Sequence, residues 1–193
     1  MERGSQGSGR GGGIFWCDLA PTDHVCQMYG DESSLIEALV GFVASGLAAD
    51  ETTVVVATDE HIARLLRHLQ ALGEDVEEAI ASERIIAIPA AATLARFMVD
   101  GWPDAGAFAV CVAEITTRAR ARRRKVRAFG EMVALLWERG HYAATLRLEE
   151  LWNEVIDAEG FPVFCAYPKS AFIPGRWEAM RDLGVLHTKI IAA

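Results

Sequence analysis

Five side chains of the types that bind ligands or exchange protons fall at or near the ends of apolar segments. His24 begins an alternating segment, Cys165 and Tyr167 close another, and His187 lies in the last apolar segment of the chain. Glu131 directly follows a fourth short apolar run. Imidazole, thiol, phenol and carboxylate groups serve as general acids and bases, nucleophiles and metal ligands. If their strands are neighbours in a sheet, the five could line one pocket.

These residues allow more than one chemistry. Cys165 with His187 or His24, oriented by Glu131, could form the thiolate–imidazole pair of an enzyme. A metal site from His24, Cys26, Cys165 and His187 is a second option, although the spacings match no known zinc pattern. Each residue taken alone also fits a plain packing role, because buried histidines and thiols are usually structural. Since nothing local marks Cys165 as activated, we predict a non-enzymatic protein without a metal or cofactor.

Glu131 stands at the corner where a strand is predicted to meet a helix. The apolar run that precedes it ends in Gly130, and a helical pattern begins at Met132. In open α/β sheets, ligands bind in the crevice outside the carboxyl ends of the strands. A carboxylate at this corner is also stabilised by the positive end of the helix dipole. Glu131 is therefore a candidate ligand contact, and the alternative is that it only caps its helix.

Two polar residues border the apolar face of a predicted helix over residues 142–158. Glu149 and Asn153 lie on a stripe with Tyr142, Leu146 and Ile156, at spacings of three and four. Such spacing places them beside the core rather than in open solvent. Because buried polar groups need partners, we expect both side chains to bond to the backbone, to each other or to a ligand.

The elements that must position these residues alternate between strand and helix. The patterns predict strands near residues 23–29, 52–58, 84–88, 126–129, 161–167 and 185–191. Helices are predicted at 34–47, where Ser34 and Glu37 match a capping box, and at 60–72, around 94–98, and at 105–123, 131–139, 142–158 and 176–183. This alternation predicts a single α/β domain with a mostly parallel central sheet and helices on both faces.

Phosphate chemistry of the P-loop kind is not expected. The chain has three lysines (Lys125, Lys169 and Lys189), and none follows a glycine as that motif requires. Gly30-Asp31-Glu32 precedes the first long helix, and its acids would repel a phosphate.

Composition narrows the remaining function classes. The net charge is −8 and 51% of residues are hydrophobic, which argues for a folded protein and against nucleic-acid or membrane partners. Residues 1–13 contain six of the 17 glycines and are predicted to be a flexible tail, with the folded domain over 14–193. Four cysteines without a paired pattern favour reduced, buried thiols, and no segment resembles a signal peptide or a membrane span. We expect a cytoplasmic protein.

Residues 118–127 contain seven of the 19 basic side chains. The run could bind phosphate or nucleic acid, but the solvated C-terminal end of a helix is the simpler interpretation. Contact with an acidic patch on a partner, or on a second copy of the chain in a homodimer, is a further option. The alternative to a ligand sensor is a protein-interaction module in a partner-switching regulatory circuit, with the basic run and an exposed Trp102-Pro103 turn as its surfaces.

Several stretches taken together resemble the MEDS domain, the sensory domain named after methanogen and methylotroph regulators of the dichloromethane-responsive type. They are HVCQMY at 24–29, GLAADE at 46–51, VRAFGEM at 126–132, LEELWN at 148–153, FCAYP at 164–168, and Leu186-His187. The resemblance runs from about residue 22 to 190. Asp50 departs from it, because the family usually has glycine before the glutamate, and this indicates an altered turn.

The resemblance implies a domain distantly similar to the RecA and KaiC-like ATPases, with the phosphate loop lost. It also implies a sensor of a small organic molecule, proposed for the family to be a hydrocarbon derivative, that signals through a regulatory protein partner. The positions that match the family's motif residues are His24, Tyr29, Glu131, Glu149, Asn153, Cys165, Tyr167 and His187. We expect His24, Glu131 and Tyr167 to provide polar contacts to the ligand, and Cys165, Met132 and Trp137 to provide soft or apolar walls.

Overall fold

A six-stranded, wholly parallel sheet forms the centre of the protein. The computed structural model describes residues 16–171 and 177–192. In chain order the sheet strands are β1 (His24–Tyr29), β2 (Thr52–Ala57), β3 (Ile85–Pro89), β6 (Val126–Gly130), β7 (Val163–Pro168) and β8 (Lys189–Ala192). Their spatial order is β3-β2-β6-β7-β1-β8. The short strands β4 (Met98–Val99) and β5 (Trp102–Pro103) form a separate antiparallel pair.

The described residues include eight α-helices around this sheet. They are α1 (Glu32–Ala48), α2 (Asp59–Ala71), α3 (Val76–Ala81), α4 (Ala90–Ala95), α5 (Ala105–Arg120), α6 (Met132–Glu138), α7 (Tyr142–Glu159) and α8 (Trp177–Val185). Short 3-10 turns cover Trp16–Asp18 and Lys169–Ala171. The predicted α/β class, parallel sheet and single domain are confirmed. Of the described helices, none is long and apolar enough to cross a membrane.

The sheet separates two hydrophobic cores. Leu39 of α1 and Leu65 of α2 pack on one face, and Leu148 and Trp152 of α7 pack on the other. The central strands β2, β6 and β7 are buried along their whole length, which explains why their sequences are apolar on both faces. Alternate residues of each strand consequently enter different cores.

The first long helix begins one turn before the predicted capping box. Asp31 is its N-cap, and the Asp31 carboxylate accepts a hydrogen bond of 3.0 Å from the Ser34 amide. The prediction of a Ser34–Glu37 capping box was therefore wrong, because aspartate is itself a strong N-cap and starts the helix earlier. Its carboxylate occupies the amide end of α1, where an α/β sheet could otherwise hold a phosphate.

Other boundaries also differ from the predictions. Helix α3 and the β4–β5 hairpin were missed, since six-residue and two-residue elements leave little periodic signal. The last strand begins at Lys189, four residues later than predicted. Cys17 is exposed rather than buried, whereas the other three cysteines are buried and free. The predicted tail over residues 1–13 lies outside the described residues.

The turn before β2 contains a residue in the left-handed region of backbone conformation. Asp50 has a φ of +53°, in the left-handed region that glycine adopts most easily. Aspartate tolerates this region better than most residues, and Asp50 stands at the position where the sequence departs from the family pattern.

Most of the basic run is held by ion pairs within the domain. Four of its side chains pair with acids among the described residues: Arg118 with Glu83, Arg120 with Glu159, Arg124 with Asp50, and Arg127 with Glu51. Arg127 is buried in β6 and also donates to the Phe42 carbonyl at 2.9 Å. Arg127 lies in a strand, as predicted, but its side chain is buried, so the interpretation of the run as a solvated helix end was wrong for this residue.

Candidate functional site

The histidine, cysteine and tyrosine predicted on three different strands meet around one carboxylate. Glu149 projects from α7 and is fully buried. His24 starts β1, Cys165 and Tyr167 lie on the neighbouring β7, and His187 precedes β8 on the other side of β1. We call these five residues the Glu149 cluster. It forms because β7, β1 and β8 are adjacent and because alternate strand residues share the face that α7 covers.

Short contacts surround the Glu149 carboxylate. Oε2 lies 3.3 Å from His24 Nε2 and 3.6 Å from Cys165 Sγ. Oε1 accepts a hydrogen bond from the Tyr167 hydroxyl and lies 3.3 Å from His187 Nε2. Cys165 Sγ is also 3.5 Å from His24 Nε2, and the two imidazole ring centres are 4.1 Å apart. Two imidazoles, a thiol and a phenol therefore share one buried charge.

Backbone and amide groups fix how both imidazoles are oriented. The Asn153 amide nitrogen donates to the Leu186 carbonyl at 3.0 Å, so Asn153 Oδ1 must accept from His24 Nδ1 at 2.8 Å. His187 Nδ1 lies 2.8 Å from the Leu183 carbonyl, which can only accept. Both rings thus carry a hydrogen on Nδ1 and direct Nε2 at Glu149. Asn153, predicted as a ligand contact, is an orienting residue in this arrangement.

Burial and charge shift the pKa values in the Glu149 cluster in opposite directions. Burial works to raise the pKa of Glu149, but the adjacent imidazoles, His187 foremost, outweigh it and hold this pKa below its usual range. Burial lowers and the Glu149 charge raises the pKa of His187, with a net rise. Burial together with the same negative charge raises the pKa of Cys165 and of Tyr167. A thiol with a raised pKa is a poor nucleophile.

The second predicted carboxylate lies elsewhere. Glu131 Oε1 is 2.7 Å from His61 Nδ1, and Glu131 Oε2 accepts a hydrogen bond of 2.8 Å from the Thr58 amide at the start of α2. Helix α2 packs on the sheet face opposite to α7. The expected single pocket with Glu131, His24 and Tyr167 is therefore divided into two sites. His61 was missed by the sequence analysis because it lies within a regular amphipathic helix.

The other predicted residues are distributed around these two sites. Tyr29 is buried at the end of β1, where burial and the charge of Glu131 raise the pKa of its hydroxyl. Met132 lines an apolar cavity of about 20 Å³ under α5, large enough for little more than one water molecule. Trp137 packs against Tyr167, with ring centres 5.7 Å apart, and against Tyr142 at 4.7 Å.

An open groove that the sequence did not indicate lies beside the Glu149 cluster. It has a volume of about 510 Å³ and runs between the β4–β5 hairpin, the start of α7 and helix α8. Trp102 and Tyr142 form its aromatic side, and Glu178 and Asp182 of α8 form an acidic rim. We call it the α8 groove. Trp102, which the sequence suggested as part of a partner surface, is exposed here, whereas its neighbour Pro103 is buried.

Fold and site together define a single α/β domain whose polar residues are gathered beneath a helix rather than in an open cleft. The model of the MEDS family, described as the methanogen/methylotroph, DcmR sensory domain, matches residues 23–183. The chain therefore belongs to the MEDS family of sensory domains, as its sequence motifs predicted. No curated protein matches the chain at a significant level of similarity.

Proposed function

We propose that this domain is a non-enzymatic sensor that binds a small organic molecule in the α8 groove and signals through a regulatory protein partner. One observation carries the proposal: helix α8 borders the groove and also holds His187, one member of the Glu149 cluster. Glu178 and Asp182 face the groove, while the Leu183 carbonyl holds His187. A ligand that moves α8 would therefore disturb the cluster.

A second connection runs through aromatic rings. Tyr142 lines the α8 groove and packs on Trp137, which packs on Tyr167. The Tyr167 hydroxyl in turn donates to Glu149. Contiguous packed side chains of this kind can couple two sites when they have two discrete arrangements. The groove and the Glu149 cluster are thus linked by both a helix and a row of rings.

The groove favours a particular chemistry of ligand. Its volume lies within the range of about 300–1,000 Å³ that is usual for small-molecule sites. Aromatic rings on one side suit an apolar body, and the carboxylates of Glu178 and Asp182 suit a hydrogen-bond donor or a cation. The Glu149 cluster itself is too tightly packed to admit an organic molecule, since its donor atoms lie within 4.8 Å of one another.

The output would reach a partner through the surface at α8 and β8. Val185 at the end of α8 is 79% exposed, and Ile190 on the edge strand β8 is 50% exposed. Exposed apolar side chains next to a sheet edge are suited to a protein contact. A partner that reads the position of α8 would bind there, and a second copy of the chain is the alternative occupant.

The first experiment is native mass spectrometry of the purified protein, followed by two-dimensional NMR with benzyl alcohol and benzylamine as probes. We expect the indole N–H signal of Trp102 to shift on titration, with tighter binding of benzylamine because of the acidic rim. Trp102→Ala should abolish saturable binding. Leu72→Ala removes another exposed apolar side chain, which lies outside the groove, and should leave binding intact.

Failure of both probes to shift any groove signal, with no small molecule released on denaturation, would contradict ligand binding at this site. The domain would then be better explained as an interaction module that works without a ligand.

A further inference from the structure

We propose that His24, Glu149, Cys165 and His187 bind a single Zn²⁺ ion. Each residue offers one ligand atom, and these four atoms lie within 4.8 Å of one another in a fully buried setting. Imidazole nitrogen, thiolate sulfur and carboxylate oxygen are the three kinds of ligand that zinc takes in proteins. The site is separate from the α8 groove and goes beyond the sensory function proposed for it.

The distances between the ligand atoms match those around a tetrahedral ion. With metal–nitrogen and metal–oxygen bonds near 2.0–2.1 Å and a metal–sulfur bond near 2.3 Å, tetrahedral ligands stand about 3.3–3.6 Å apart. His24 Nε2, Cys165 Sγ and Glu149 Oε2 are separated by 3.3, 3.5 and 3.6 Å. Three of the four ligand atoms thus already form one face of such a tetrahedron.

The orientation of the imidazoles directs both Nε2 atoms at the carboxylate, where a proton or a metal ion can lie between them. Because each Nδ1 donates its hydrogen to an oxygen, each neutral ring presents the lone pair of Nε2 to Glu149. Lone pairs facing a buried carboxylate are unfavourable, and either a proton on Nε2 in the empty site or a Zn²⁺ ion in the filled site would remove that repulsion. His187 Nε2 is moreover buried without a hydrogen-bond partner among the described residues, although it lies 3.3 Å from Glu149 Oε1.

Outer hydrogen bonds complete the pattern that metal ligands show. A histidine that binds a metal through one nitrogen usually donates from the other to a carbonyl or carboxylate, and ligating carboxylates are themselves hydrogen-bonded. The Asn153 and Leu183 oxygens fill the first role here. The Tyr167 hydroxyl fills the second at Oε1, which leaves Oε2 for the ion.

The sequence suggested a related but different set of ligands. Cys26 pairs with Cys165 in the register of β1 and β7, but it is not among the four residues whose ligand atoms converge. Glu149 takes its place from a helix. No local zinc motif could reveal the site, because its ligands are spread from His24 to His187 across the sheet.

The test replaces zinc by Co²⁺, whose absorption reports its ligands. Protein is unfolded in chelator, freed of the chelator, and refolded with increasing amounts of Co²⁺, because the buried site is closed in the folded state. We expect saturation at one equivalent, visible bands of tetrahedral intensity and a near-ultraviolet thiolate charge-transfer band. Zinc should displace the spectrum, and the thiol proton should be released to solvent on binding. Elemental analysis of protein purified without chelator should give one zinc per chain.

Variants assign the spectrum to this site. Cys165→Ser should lose the charge-transfer band. Asn153→Ala removes a residue that orients His24, and it should weaken the affinity for Co²⁺ about 10–100-fold while keeping the band. Cys111→Ser removes another buried thiol and should change neither. A wild-type protein that refolds without a thiolate band, or a band that survives Cys165→Ser, would overturn the proposal. Either result leaves the α8 groove untouched, since its probes do not involve the metal.

Discussion

The domain contains two buried carboxylates that each pair with histidine, and they differ in how much surrounds them. Glu131 has one imidazole and one backbone amide, both at the start of α2. Glu149 has two imidazoles, a thiol and a phenol, supplied by two strands and the segment before a third. The first set satisfies a single charge. The second gathers more polar groups than one carboxylate needs.

The difference indicates two kinds of role. The Glu131 pair joins β6 to the first turn of α2, and a carboxylate there also benefits from the helix dipole. A local tie of this kind stabilises the fold. The Glu149 cluster instead collects soft and titratable groups from distant parts of the chain, which is typical of a functional centre. The predictions below test this contrast.

The largest expected effect follows from removing the charge at the centre of the cluster. In chelator-treated protein, Glu149→Gln should lower the free energy of unfolding by about 3–5 kcal/mol, because it leaves buried partners without their counter-charge. Glu131→Gln should cost about 1–3 kcal/mol, the usual range for an unsatisfied buried donor. Urea denaturation measures both. Equal losses would mean that the two carboxylates do the same structural work.

A smaller effect is expected from a single hydroxyl. Tyr167→Phe removes the hydrogen bond to Glu149 and should destabilise the protein by about 1.5–3 kcal/mol, since the acceptor is charged. Tyr29→Phe is the matched change near Glu131, where no hydrogen bond from the Tyr29 hydroxyl is among the described contacts. Tyr29→Phe should lower the free energy of unfolding less than Tyr167→Phe does. A larger loss for Tyr29→Phe in the same denaturation experiment would contradict the stronger role assigned to the Glu149 cluster.

The smallest effect is a pH dependence at the Glu131 pair. The hydrogen bond to Glu131 raises the pKa of His61, burial opposes this rise, and Glu32 adds to it while Arg64 reduces it. Glu138 also faces this histidine. Because the folded pKa is the higher one, the stabilisation is full below the unfolded value of about 6.5 and is lost as pH rises through the folded pKa.

His61→Gln isolates that contribution. The stability difference between wild type and this variant should be larger near pH 5.5 than near pH 8.5, at about one unit below and two above the unfolded pKa. Thermal unfolding at both values measures it, and titration of His187 cancels in the difference. If the stability difference between wild type and His61→Gln is the same at both pH values, protonation of His61 contributes nothing to the stability of the fold.

Much of the cluster could be predicted from the sequence because strand alternation fixes which residues share a face. The pattern placed Cys165 and Tyr167 together, and the helical stripe placed Glu149 and Asn153 against the core. The sequence could not supply the order of the strands, since parallel strands joined by helices can be arranged in many ways. In the observed order, Glu131 lies beside α2 and away from the other predicted residues. His187 lies beside His24 and joins the Glu149 cluster.

The order of the strands that build the cluster also sets the stage of synthesis at which the sheet can be completed. β1 lies between β7 and β8, and the His24 carbonyl accepts from the Thr188 amide at 2.8 Å. β1 leaves the ribosome before β7 and β8, so its two neighbours in the sheet are missing until those later strands have been made. Until then, His24 and the apolar face of β1 are available to wrong partners, and nascent chains stalled before β7 should depend on chaperones.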